Sequence, residues 1–253
     1  MSLAARLAIV AVFISFCGCD AKPAGPGGQP GGQAGGSPAA SSAEAQSPDQ
    51  HIWDLLKLAM EVHNHHDKHK RIPLDIKAAD GTPLLSWRVE LLEVLDPQLY
   101  QQFHLQEAWD SPHNSTLMAK VPKWYVPSGG SRQDGKTTLM MFQGPQTIFE
   151  NPRAKFNFSE IFDGTSKTLI YIEAPPDKAV PWTKPADLTF DAANPLAAIG
   201  AFPDTGLLGV FCDGQVRRIS KDTPPPEFAA MITPRGGEQG AVDTWAPSAK
   251  PAR

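Results

Sequence analysis

The chain has 253 residues, of which 25 are proline and 21 glycine, an excess of structure-breaking residues that argues against a uniformly compact fold. Its formal net charge is −4 with 20% charged residues, so no basic surplus exists to hold a phosphate backbone, and no nucleic-acid partner is expected. Three cysteines, two of them Cys17 and Cys19 near the start, leave only Cys212 in the body, which excludes a disulfide framework and a cysteine-rich zinc site.

Arg6 and the apolar run Leu7 to Phe16 are too short to span a bilayer as a helix and have the shape of an export signal. The next segment, Phe16-Cys17-Gly18-Cys19, resembles a bacterial lipobox, in which a cysteine after a small residue is lipidated and becomes the mature N-terminus. Residues 1–18 are then a lipoprotein signal peptide and Cys19 the lipidation site. Phe16 and Cys17 are not the commonest residues of that motif, and an ordinary signal cut nearby is the alternative. Between Ala21 and Gln50, 12 of 30 residues are Gly or Pro and none is large and apolar. Such a stretch buries too little to offset its ordering entropy, so residues 19–50 read as a disordered tether with an end-to-end distance of about 30 Å. Gly236 to Arg253 has the same texture apart from Trp245 and reads as a flexible tail. A folded domain is expected over 51–235.

Ile52, Leu55, Leu56 and Ala59 recur at i, i+3, i+4, i+7, which predicts a first helix to about His69 with Asp49 available as a cap and Pro73 as a stop. Asp80-Gly81-Thr82-Pro83 reads as a turn, a second helix follows Ser86 to Leu95, and Asp96-Pro97 starts a short third one carrying Tyr100 and Phe103. Ser111-Pro112 repeats that start signal. From Lys136 the texture turns to strand: Thr137 to Phe142, Thr168 to Glu173, and the pair Leu207 to Phe211 and Gln215 to Ile219 around Asp213-Gly214. Asp-Gly between apolar runs predicts a hairpin through a type I′ turn, with positive φ at both central residues. Thr223 and its prolines begin a last helix through Phe228, Met231 and Ile232. Helices first and an antiparallel sheet afterwards is an α+β layout.

Several stretches, in order, carry a resemblance: Val62-His63-Asn64-His65-His66-Asp67, Leu85-Ser86-Trp87-Arg88-Val89, Gln102-Phe103-His104-Leu105, Trp109-Asp110-Ser111-Pro112-His113-Asn114, Asp163-Gly164-Thr165-Ser166 and Ala179-Val180-Pro181-Trp182-Thr183. Together, over about His51 to Gly237, they are similar to the family called domain of unknown function 1559, whose members abound in planctomycetes. The resemblance implies a pilin-like fold, a long N-terminal helix packed on an antiparallel sheet, and no established activity. Two features depart from the family. The apolar prepilin helix is replaced by the lipobox and tether, so pilin-like polymerisation is not expected. The family's histidine ten residues before the C-terminal Asp-Gly is replaced by Pro203.

The histidines His63, His65, His66 and His69 are the most chemical-looking cluster, because His65 and His69 lie at i, i+4 on one helical face, the spacing at which two imidazoles reach one metal. A zinc site needs a third protein ligand, and no HExxH glutamate lies between the pair. His63 and His66 continue the Ile52/Leu55/Ala59 stripe, which predicts partly buried, hydrogen-bonded rings. Ser166 lacks the flanking glycines of a nucleophile elbow and reads as part of a turn. Gly130 to Thr137 matches the P-loop pattern, but a P-loop follows a buried strand and opens a helix, whereas prolines precede this one and β-branched residues follow. Trp53, Trp87, Trp109, Trp124, Trp182, Tyr100, Tyr125 and Phe103 are expected in the helix-to-sheet core, with an exposed shelf for carbohydrate or peptide as the alternative. Cys212 is expected as a small buried hydrophobe.

No catalytic, cofactor-binding or metal residue is therefore assigned, and Cys19 is the one modification site. The expected protein is a non-enzymatic, membrane-anchored cell-envelope lipoprotein, facing the periplasm or cell surface, with a structural or protein-interaction role and an unidentified envelope protein as partner. An envelope solute-binding protein is the second reading, favoured by a preformed pocket lined by tryptophans. A metal-dependent enzyme built on His63 to His69 is the third.

Overall fold

The computed structural model describes residues 48–149 and 157–236. The signal peptide, Cys19, nearly all of the tether and the tail from 237 lie outside the described residues. Helix α1 spans Pro48–His69, three residues earlier than the expected domain start, which places Asp49 within its first turn, where its charge suits the helix dipole. Lys70, at a φ of 57°, ends it, and its N–H donates to His66 O at 2.7 Å. Strands β1 (Ile76–Lys77) and β2 (Pro83–Leu85) pair across the Asp80-Gly81 turn. Helix α2, Trp87–Leu95, is capped by the Ser86 hydroxyl, and α3, Pro97–Tyr100, by the Asp96 carboxylate, as the sequence predicts.

The expected strand Thr137 to Phe142 is broken into β3 (Lys136–Thr137), β4 (Leu139–Met140) and β5 (Phe142–Gln143), each in a different sheet. Side chains interrupt its ladder. The Thr137 hydroxyl accepts from Leu139 N–H at 3.2 Å, Asp187 accepts from Met141 N–H at 2.8 Å, and the Arg88 guanidinium donates to Leu139 O. Downstream come β6 (Leu169–Glu173), β7 (Val180–Pro181) and β8 (Leu188–Thr189), then the hairpin β9 (Leu207–Phe211) and β10 (Val216–Ile219), and helix α4 (Pro225–Ile232). The main sheet is antiparallel, in the order β10-β9-β6-β4, while β3 pairs with β7 and β5 runs parallel to β8.

The hairpin is where the sequence places it, with a different turn. Phe211 O accepts from Gly214 N–H and Phe211 N–H donates to Gln215 O, so the loop has three residues, and Gly214 alone among them has positive φ, at 79°. This is the hairpin that closes on a left-handed glycine, not the two-residue I′ turn.

Strand β9 is buried along its whole length because both faces of the sheet are covered. Leu208, Val210 and Cys212 face a core shared with Leu55, Leu58 and Val62 of α1 and Leu91 of α2. Leu207 and Phe211 face a second core with Phe228, Met231 and Ile232 of α4. The long helix on an antiparallel sheet is the pilin-like α+β arrangement the resemblance implies, with α4 closing the opposite face. Tyr171 of β6 donates to Leu55 O at 2.9 Å, and the His51 ring meets Glu173 at 2.8 Å, which pins α1 to the sheet near its first turns. Among the described residues no helix is long and apolar enough to cross a membrane.

Candidate functional site

The α1 stripe that meets the core is His51, Leu55, Leu58, Val62 and His65, and His65 is the fully buried member of the histidine cluster. His63 and His66, the two assigned to the buried stripe from sequence, are half-buried at its flank against Phe158, His63 stacked on it at a ring separation of 4.4 Å and His66 tilted to it at 4.7 Å. Burial holds the His63 ring below the usual imidazole range, and the neighbouring His66 adds to that.

His65 Nδ1 lies 3.2 Å from Arg71 O. A carbonyl only accepts, so the proton sits on Nδ1 and Nε2 carries a bare lone pair, which is buried with no hydrogen-bond partner among the described residues. Burial keeps His65 below the ordinary imidazole range against the opposing pull of Glu90. One turn on, the His69 ring lies 4.5 Å from it, centre to centre.

The third group comes from α2. Glu93 receives His69 Nε2 at 2.5 Å and Lys68 Nζ at 2.9 Å. Burial raises its carboxyl, but these two hydrogen bonds outweigh that and hold it below the usual range. Ligand atoms of His65, His69 and Glu93 all lie within 4.8 Å of one another. Glu90, one turn earlier on α2, approaches His65 Nε2 to 3.8 Å and is held by both Nη atoms of Arg71 and by Leu74 N–H. The sequence reading found no third ligand because it weighed the other histidines, His51, His104 and His113, and a glutamate between the pair, whereas Glu93 is brought in by the packing of α2. Its one sequence signal is Glu90 and Glu93 at i, i+3 on a helix whose next turn is otherwise apolar.

A second polar cluster is structural in its geometry. Arg88 is fully buried and donates to Ser86 Oγ at 2.7 Å, to Leu139 O at 2.9 Å and to Asp187 at 2.9 Å. Asp187 also accepts from Trp87 Nε1 and Met141 N–H, and its burial raises its pKa against the opposing Arg88 charge. Asp75 accepts from Trp87 N–H at 2.9 Å, and burial followed by the Asp187 charge pushes its carboxyl up to about 6. An arginine among Trp87, Val89, Leu91 and Leu92 was the readable sign of a paired buried charge.

The aromatics divide. Trp87, Trp182, Tyr125 and Tyr171 are buried and packed ring to ring, with centroids 5.8 to 6.5 Å apart, as the core reading expects, whereas Trp53 is exposed. A cleft of about 340 Å³ opens between β10 and α4, lined by Arg218, Thr223, Glu227 and Met231 among others, and no tryptophan lines it. Cys212 is buried, and burial raises its thiol well above the ordinary range. Asp163 to Ser166 forms a turn around Gly164, at a φ of 100°. Gly130 to Thr137 turns through a left-handed Gly135 into β3 instead of opening a helix.

The family model described as "Protein of unknown function (DUF1559)" matches residues 55–148. The matched stretch runs from α1 past β5 and contains His65, His69, Arg88, Glu90 and Glu93, while Asp187 and the β9–β10 hairpin lie beyond it. No curated protein and no solved structure matches the chain.

Proposed function

We propose that this chain of the DUF1559 family works as a non-enzymatic, lipid-anchored module of the cell envelope that engages another envelope protein through the outer face of α1. The observation that carries this is the pair Trp53 and Met60, seven residues apart on α1, each with 55% of its surface exposed. Seven residues is two helical turns, so both sit on one face. Exposed tryptophan and methionine are the residue types that interface cores favour, and beside them Lys57 and Glu61 pair at 2.6 Å as a polar rim. The envelope location and the anchor rest on the Leu7 to Phe16 signal and on Cys19.

The burial of Trp87, Trp182, Tyr125 and Tyr171 supports this choice over solute binding, because those rings are spent on the core. A photo-crosslinking residue placed at Trp53 in native envelopes tests it. One discrete adduct is expected, abolished by Met60→Asp while the protein stays folded and membrane-bound. No adduct, or one indifferent to Met60→Asp, would overturn the assignment of this face.

A further inference from the structure

We propose that His65, His69 and Glu93 form a binding site for one divalent cation of the zinc class, which clamps the last turn of α1 to α2. Two imidazoles and one carboxylate are the donor set of open zinc sites, and nitrogen donors select zinc, cobalt or nickel over calcium or magnesium. The site is built in three respects.

First, the ligand atoms already lie within 4.8 Å of one another, across two helices packed together by the core. Bonds of about 2.0–2.2 Å to one ion need a closer approach, which falls to the part-exposed side chains of His69 and Glu93. Second, His65 is oriented as a ligand should be: its Nδ1–H is spent on Arg71 O at 3.2 Å, which leaves the Nε2 lone pair buried and, among the described residues, unpartnered. Imidazole ligands characteristically donate their other N–H to a carbonyl or carboxylate in this way. A buried acceptor with no donor is destabilising, and a cation supplies what it lacks.

Third, two of the three ligand atoms already face each other: His69 Nε2 lies 2.5 Å from a Glu93 carboxylate oxygen, so both point into the space an ion would occupy. Glu90 stands beside the site at 3.8 Å from His65 Nε2, its own charge balanced by Arg71. His65 is sealed, but the His69 and Glu93 side chains remain 30% and 27% exposed, so the ion enters from solvent and keeps a coordination position on that side.

The test uses the full mature protein purified without a polyhistidine tag, stripped with a chelator, and titrated with Zn²⁺ by calorimetry and with Co²⁺ by visible absorption. One equivalent of each is expected, with Co²⁺ giving the d–d bands of a four- or five-coordinate site and Zn²⁺ raising the melting temperature. His69→Ala and Glu93→Gln, both on part-exposed residues that leave the core intact, should each weaken binding by roughly a hundredfold. His65→Ala is the less clean variant because it opens the core. Absence of saturable one-to-one binding by the wild type overturns the proposal. So does binding unchanged by both variants, or lost instead on His104→Ala, which would place the ion where the exposed His104 ring stacks on the part-buried His113 ring at 3.5 Å.

Discussion

Arg88 and Asp187, 99 residues apart in sequence, meet at 2.9 Å with neither side chain open to solvent. The pair joins α2 to the segment before β8, and through Leu139 O and Met141 N–H the same two side chains hold the interrupted strand run between them. Removing one partner of a buried pair leaves the other as an uncompensated charge, which costs about 3–5 kcal/mol. Arg88→Met should therefore lower unfolding free energy in urea by about that amount. Adding Asp187→Asn should recover part of it, because a neutral amide can still accept from Trp87 and Met141. A double variant as unstable as the sum of the singles would show that the pair is not coupled.

Asp75 gives this region a pH dependence of definite sign. Its folded pKa, near 6, lies above the ordinary 3.8, because burial and then the charge of Asp187 disfavour ionisation. Between those two values the folded chain holds the proton and the unfolded chain does not. The stability from this group is thus complete below about pH 4 and is lost as pH rises through 6. Asp75→Asn keeps an acceptor for Trp87 N–H and removes the penalty. Relative to wild type it should gain about 1–3 kcal/mol at pH 8 and nothing at pH 4. An equal effect at both pH values would refute the assignment.

The elements with a local signature were legible in the sequence. Ser86 and Asp96 announced their helices because caps act within a few residues, and helical period announced α1, although the buried stripe runs through Leu58, Val62 and His65 and not through Ile52, Leu56, His63 and His66. What failed depended on partners far along the chain. Thr137 to Phe142 reads as one strand by composition, yet Arg88 and Asp187, remote in sequence, take its backbone groups and divide it. The type I′ turn was overridden because Asp213 keeps negative φ, its carboxylate accepting from Gln215 N–H at 3.0 Å and pairing with Arg217 at 2.6 Å. The histidine cluster shows both cases at once. His65 and His69 were visible at i, i+4, while Glu93 showed only as half of an i, i+3 carboxylate pair, because the angle at which α2 crosses α1 is not written in either helix.

The proposed lipid anchor is tested away from the folded domain. The 19–50 segment has no large apolar side chain with which to hold a membrane, and on the proposed reading the apolar run Leu7 to Phe16 would be removed on processing. Cys19→Ala should therefore move the protein from the membrane fraction to the soluble fraction of the envelope, with the domain's melting temperature unchanged. Acyl chains add about 0.8 kcal/mol per buried CH₂, so the shift should be nearly complete. A variant that stays membrane-bound would rule out Cys19 as the anchor.

Gly214 closes the β9–β10 hairpin at a φ of 79°, and a β-carbon added there would meet only His63 Nε2, at 3.8 Å. Space is therefore not the constraint at this position; backbone conformation is. A β-branched residue is a strong outlier in the left-handed region, whereas asparagine enters it readily. Gly214→Val should cost about 1–3 kcal/mol and Gly214→Asn well under 1. In a domain of this size each kcal/mol moves the melting temperature by about 2–4 °C, so the two variants should melt several degrees apart. Were the loop constrained by contact with His63 instead, the longer asparagine would be penalised as well. Equal losses in both variants would show that packing, not the positive φ, demands glycine here.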